Sequence, residues 1–201
     1  KRQSQELEEL KRGSQNRQDS HQKKKDQESP EDQETKISLL DLIRTQLKAL
    51  GQTLHTYDSK EKWEEAEAKM KATGINPATT KGFCYFNKEE GIIEIYLKPG
   101  LSEEERAETL LHEQAHALSE LAIQHQEEPF YGTIHRIYTE LEENHPEFLI
   151  RHKIENESEL LAHTISDKAF KAELIKLQRT ETRNYFIRIM DAVFTFLKLK
   201  T

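Results

Sequence analysis

The chain has 201 residues, which is enough for one domain of ordinary size and an appendage. Hydrophobic residues make up 34% and charged residues 33%, a lean balance indicating that part of the chain contributes nothing to a core. The formal net charge of −7 argues against a surface that binds nucleic acid across the whole domain. We expect no membrane partner, because no apolar run approaches the length of a membrane helix and no signal-peptide core is present.

Cysteine usage indicates a reducing compartment. Cys84 is the only cysteine, so an internal disulfide is excluded and the cytoplasm is the expected location. A single thiol without a partner motif is predicted to be a strand residue and not a nucleophile.

Residues 1–36 form a polar, low-complexity segment. Its only large apolar residues are Leu7 and Leu10, too few to offset the entropy lost on ordering. We expect a disordered or loosely helical tail, which suits a connection to an upstream domain. A single folded domain is then predicted over residues 37–201.

Two helices are predicted at the start of this domain. Apolar residues recur at helical spacing over residues 39–50, and Gly51 is the expected stop. Asp58, with Glu61 three residues later, is a capping-box-like start for a second helix that ends near Gly74. Three residues at helical spacing are predicted to pack in the core from this helix: Trp63, Ala66 and Met70.

A β-hairpin is predicted next. Residues 82–87 and 92–97 are aromatic and β-branched runs, and Gly91 between them is expected to have a positive φ. Ser102 and Glu105 then form a Ser-x-x-Glu capping box that starts a long helix. In a peptide hydrolase, an exposed strand edge beside such a helix can pair with an extended substrate.

The long helix carries an HExxH motif. His112 and His116 are four residues apart, so both imidazoles lie on one face and can bind one ion. Zn²⁺ suits this pair, since zinc binds neutral imidazole and keeps a position free for water in catalytic sites. Glu113 would act as the general base for the metal-bound water. The alternative is an ordinary helix whose histidines face solvent or the core.

Further helices follow the motif. Apolar spacing predicts one helix that ends at residues 144–146, another from residues 155–159 through Phe170, and a last helix from Tyr185 to Leu197. The expected fold class is therefore α+β, mainly helical, with a small antiparallel sheet packed beside the HExxH helix.

The position of the third metal ligand separates classes of zinc site. A metzincin would need Gly at position 119 and His at position 122, but Ser119 and Ala122 stand there, so that class is excluded. The other common solution is a glutamate from a later helix. The residues leave three candidates open: Glu155, Glu157 and Glu159.

At two places the chain resembles a known family. The run from Thr109 to His116 (TLLHEQAH) and the run Glu159-Leu160-Leu161-Ala162 resemble the minimal gluzincin domain of ArdC-type antirestriction and polyvalent proteins of plasmids and phages, and more distantly the ImmA/IrrE peptidases. The resemblance implies a zincin-like fold with a strand pair before the HExxH helix. It also implies that His112, His116 and Glu159 bind zinc and that Glu113 is the base.

Helical geometry also favours Glu159 over its neighbours. Within a helix starting near residue 156, Glu159 shares a face with Ala162 and His163, whereas Glu157 lies about 200° around the axis from Glu159. Glu157 and His163 remain as alternative ligands, and His163 could instead hydrogen-bond a ligand. Nothing in the sequence selects an oxyanion donor among Tyr131, His135, Tyr138, His145 and His152.

Two functions are consistent with these features. The first is a zinc-dependent endopeptidase of the gluzincin type, whose partner is a protein or peptide substrate. The second is a non-catalytic, zinc-braced binding module of a mobile genetic element, with a role in antirestriction or conjugation. Glu113 favours the enzyme, because a purely structural zinc site has no use for that carboxylate.

Overall fold

The computed structural model describes residues 30–87, 90–124, 129–177 and 184–199. The chain divides into two units, Lys1–Ser38 and Leu39–Thr201. In the first unit the description covers only the start of helix α1 (Pro30–Ala49), which begins inside the segment expected to be a tail. The rest of that segment, residues 1–29, lies outside the described residues.

A small mixed sheet of three strands forms the β part of the fold. Its strands are β1 (Thr53–Tyr57), β2 (Gly82–Asn87) and β3 (Ile92–Leu97), in the order β1-β3-β2. Strands β2 and β3 pair antiparallel, and Gly91 has a φ of +64°, so the predicted hairpin is confirmed. Strand β1 pairs in parallel with β3 and was not predicted. This leaves β2 at one edge of the sheet.

Helix α2 (Lys60–Ala72) covers one face of the sheet. The predicted core residues Trp63, Ala66 and Met70 are buried there with Phe83 and Tyr96.

The cap of α2 differs from the prediction by one residue. Ser59 is the N-cap, and its Oγ accepts a hydrogen bond from the Lys62 N–H at 3.3 Å. The predicted cap Asp58 instead forms an ion pair with Arg106 at 2.5 Å. Ser59, two positions before Glu61, takes the capping role, so the Asp58 carboxylate is available to pair with Arg106.

Helix α3 (Glu103–Gln124) lies on the opposite side of the sheet and is the centre of the main core. Its predicted capping box is confirmed: the Ser102 N–H donates to Glu105 Oε2 at 3.1 Å, and the Glu105 N–H donates to Ser102 Oγ at 3.3 Å. A fixed start sets the rotation of the whole helix. Seven of its buried residues join the apolar side of the core: Leu110, Leu111, Ala115, Ala117, Leu118, Leu121 and Ala122.

Five further helices complete the described chain: α4 (Phe130–Asn144), α5 (Pro146–His152), α6 (Glu157–Ser166), α7 (Lys168–Lys176) and α8 (Tyr185–Leu199). The α+β, mainly helical class is thus confirmed. The prediction of one helix through Phe170 is wrong, because Asp167 ends α6 and caps α7 by accepting the Phe170 N–H at 3.0 Å. None of the helices in the described ranges is both long and apolar enough to cross a membrane.

A half-buried ion pair links α4 to α8. The Arg188 guanidinium makes two contacts with the Glu140 carboxylate, at 2.5 and 3.2 Å. Only 21% of the Arg188 side chain and 16% of the Glu140 side chain are exposed. The last helix is therefore fixed by paired charge as well as by apolar packing.

Candidate metal centre

One side of α3 presents polar residues toward a cavity, among them His112, Glu113 and His116. Its other side packs in the core. His112 and His116 direct their Nε2 atoms at each other, 3.1 Å apart. This arrangement follows from the four-residue spacing, which puts the two side chains one above the other.

Helix α6 packs along α3 and contributes Glu159. Its Oε2 lies 3.8 Å from His112 Nε2, and its Oε1 lies 3.6 Å from His116 Nε2. Glu157 points elsewhere and contacts His135 Nδ1 at 2.6 Å. The structure thus brings His112, His116 and Glu159 together and places Glu157 outside the cluster.

The separations fit a zinc ion. Two ligands about 2.05 Å from a tetrahedral zinc lie about 3.3 Å from each other. The separations of 3.1, 3.6 and 3.8 Å between the ligand atoms bracket that value. A shift of a few tenths of an ångström would bring the Glu159 carboxylate to the separation from the two imidazoles that zinc ligands have.

Two serines on α6 fix the orientation of the imidazoles. Ser166 Oγ donates its proton to the Ala162 carbonyl at 2.8 Å, so it accepts from His112 Nδ1–H at 3.2 Å. Ser158 Oγ lies 2.8 Å from His116 Nδ1. With Nδ1 protonated in both rings, the two Nε2 lone pairs would face each other, which is repulsive unless a cation lies between them.

The imidazoles are held in the neutral form that binds metal. Burial, aided by the neighbouring His116 and His163, lowers the pKa of His112 to about 3. Burial and His163 lower the pKa of His116 to about 4. Neither histidine therefore competes for a proton near neutral pH, and both lone pairs are available to an ion.

Glu113 lies between the cluster and the sheet edge, with 7% of its surface exposed. Its carboxylate accepts a hydrogen bond from the Cys84 backbone N–H, while burial and the charge of Glu159 raise its pKa to about 8. The Cys84 thiol is desolvated as well. Burial and the charges of Glu113 and Glu120 raise the pKa of that thiol well above its usual value, so it is no thiolate nucleophile.

His163 approaches the same cluster from α6. The ligand atoms of His112, Glu159 and His163 all lie within 4.8 Å of one another, and His163 Nε2 is 3.8 Å from Glu159 Oε2. The structure therefore places a further side chain able to bind metal beside His112 and Glu159, the residue that the sequence left as an alternative ligand.

A cavity of about 880 Å³ runs over this cluster and along β2. Its wall includes Gly82, Cys84 and Phe86 of the edge strand, together with the polar faces of α3 and α6. A cavity of this size suits a peptide segment better than a lone ion. The five residues considered as oxyanion donors are all among the described residues, and none lines the cavity: Tyr131, His135, Tyr138, His145 and His152.

Sequence reasoning missed the residues that support the ligands. Ser158, Ser166 and Asp167 are ordinary helix or cap residues when read singly. A usable signal was the polar stripe they make with Glu159 and His163 on a helix whose other side is apolar.

Comparisons of the chain with protein-family models, with curated proteins and with solved structures found no match.

Proposed function

We propose that this protein is a zinc-dependent endopeptidase in which His112, His116 and Glu159 hold the ion and Glu113 is the general base. The observation that carries the proposal is the pair of imidazoles whose Nδ1 atoms contact serines and whose Nε2 atoms lie 3.1 Å apart beside the Glu159 carboxylate. An ion held there would supply Lewis acidity, which polarises a peptide carbonyl and acidifies water.

The chain's own residues have separate tasks in this proposal. A cation held beside Glu113 would lower its raised pKa, so that its carboxylate could accept the proton of the attacking water and later pass it to the leaving amine. The edge of β2 would bind an extended substrate through its backbone, in the manner of strand addition. The buried position of Glu113 keeps bulk water away from that proton transfer.

A gluzincin related to the ArdC-type peptidases is the class we propose, with a protein or peptide as substrate. The cytoplasm is the proposed compartment, because the lone Cys84 needs no oxidising environment. A second candidate, a zinc-braced binding module without activity, is favoured by one observation: His163 adds a further possible ligand beside His112 and Glu159.

Metal analysis and two matched variants test this function. After dialysis we expect about one zinc per chain, and zinc at 100 times its Kd should stabilise the fold by about 2.7 kcal/mol. Glu159→Ala should weaken zinc binding at least tenfold. Glu157→Ala removes a carboxylate outside the cluster and should leave zinc binding unchanged. A chain that neither retains zinc nor melts higher in its presence would refute the metal site.

Glu113→Gln separates the enzyme from the binding module. The variant should retain zinc and the fold, while cleavage of partner proteins, followed by mass spectrometry of new termini, falls by at least a hundredfold. Equal cleavage by both proteins would refute the mechanism, and no cleavage by the native protein would favour the binding module.

A further inference from the structure

His163 packs its ring against Phe170, with centroids 5.6 Å apart, and turns its Nε2 toward the cluster. It follows Glu159 by one helical turn on α6, and its Nε2 lies 3.8 Å from Glu159 Oε2, the same separation that His112 Nε2 has. Its ring meets the His112 ring edge-on, with centroids 5.0 Å apart. A residue with only a packing role would have no reason to turn a ring nitrogen toward other ligand atoms.

The second nitrogen of this ring faces a carboxylate. His163 Nδ1 lies 3.5 Å from Asp167 Oδ2, while the other oxygen of Asp167 caps α7. Within the described chain no closer hydrogen-bond partner reaches this buried nitrogen. Asp167 therefore favours the proton on Nδ1 and the lone pair on Nε2, the same tautomer that Ser166 favours in His112.

His163 is nevertheless held less firmly than the other two histidines. Its contact of 3.5 Å with Asp167 is longer than the contacts of 3.2 and 2.8 Å that orient His112 and His116. Its side chain lines the cavity. The longer contact therefore restrains the His163 ring less than the serine contacts restrain the other two rings.

We infer that His163 is a fourth, displaceable ligand that closes the metal site at rest and leaves it when a substrate occupies the cavity. This inference rests on the zinc site of the proposed function and adds its regulation. Closed four-ligand sites are structural, whereas catalytic sites keep one position free. A displaceable His163 would give one chain both states. At rest, the closed site would not hydrolyse peptides that do not fill the cavity.

Cobalt substitution of the full chain tests the fourth ligand, because the visible spectrum of Co²⁺ reports the number and type of its ligands. In the native protein, added azide should leave the spectrum unchanged. In His163→Ala azide should change the spectrum, added imidazole should restore it, and the Kd for zinc should rise about tenfold or more. His135→Ala is the matched control, since it removes an exposed histidine outside the cluster, and should behave as the native protein does.

Three outcomes separate the possibilities. The expected result supports His163 as a ligand. Equal zinc affinity and equal azide response in native protein and His163→Ala would overturn this inference while leaving the three-ligand site intact. Absence of metal binding in the native protein would overturn both.

A measurement on the native chain removes the dependence on variant folding. With ¹¹³Cd²⁺ bound and histidines labelled with ¹⁵N, scalar coupling to the metal should appear at Nε2 of three imidazoles. Coupling at only His112 and His116 would overturn the inference.

Discussion

Gly82→Ala tests the close contact between the edge strand and the base. An added Cβ at position 82 would lie 2.5 Å from Thr109 Cγ2 and 2.7 Å from Glu113 Oε1. Its distance to Glu113 Cγ would be 2.9 Å. Ordinary contacts of a Cβ begin near 3.4 Å, so the Thr109 and Glu113 side chains, or the strand and the helix themselves, would have to move by several tenths of an ångström to about 1 Å.

The size of the effect follows from that overlap. Overpacking of this kind costs typically about 1–3 kcal/mol, because side chains leave their preferred rotamers and the backbone shifts. For a domain of this size the melting temperature should fall by about 2–4 °C per kcal/mol. Thermal unfolding followed by circular dichroism, with a parallel measurement of zinc affinity, would detect both changes.

A double variant gives the control. Thr109→Ser removes the nearest clashing atom and keeps the hydroxyl, so it should restore part of the stability that Gly82→Ala loses. The coupling between the two substitutions should exceed about 0.5 kcal/mol. If Gly82→Ala melts at the native temperature, the strand does not approach α3 as closely as described, and the placement of Glu113 loses its support.

Four further variants test the support of the site and of the fold. Ser166→Ala should weaken zinc binding about tenfold in a competition titration, since the Nδ1–H of His112 loses its acceptor. Thr164→Ala on the same helix, which removes a hydroxyl that donates to the Leu160 carbonyl, should leave the zinc affinity unchanged. Arg188→Ala should lower the free energy of unfolding by about 2 kcal/mol, since it breaks a half-buried pair, whereas Arg106→Ala breaks an exposed one and should cost about 0–1 kcal/mol in urea denaturation.

Local sequence rules predicted the elements that local contacts determine. The capping box at Ser102 and Glu105 fixed the start of α3, and the spacing of His112 and His116 then fixed their common face. Gly91 marked the hairpin, because its positive φ is one that other residues rarely adopt. In each case the interacting residues are a few positions apart in the chain.

The features that were missed depend on distant contacts. Strand β1 has no apolar alternation, and only its parallel pairing with β3 makes it a strand. Ser158 and Ser166 gain their roles from histidines more than forty residues earlier. Gly82 has an ordinary φ, so its need for glycine arises from the approach of α3 and is invisible in the local sequence.

The placement of the ligands on α3 and α6 has a consequence for chain length. An ion bound by residues of both helices would close a loop that contains α4 and α5. The entropy of closing a loop grows only with the logarithm of its length, so doubling the loop costs about 0.6 kcal/mol. The segment between His116 and Glu159 can therefore gain insertions with little loss of metal affinity, whereas a one-residue insertion inside α6 would rotate Glu159 away from Ser158 or Ser166 by about 100°.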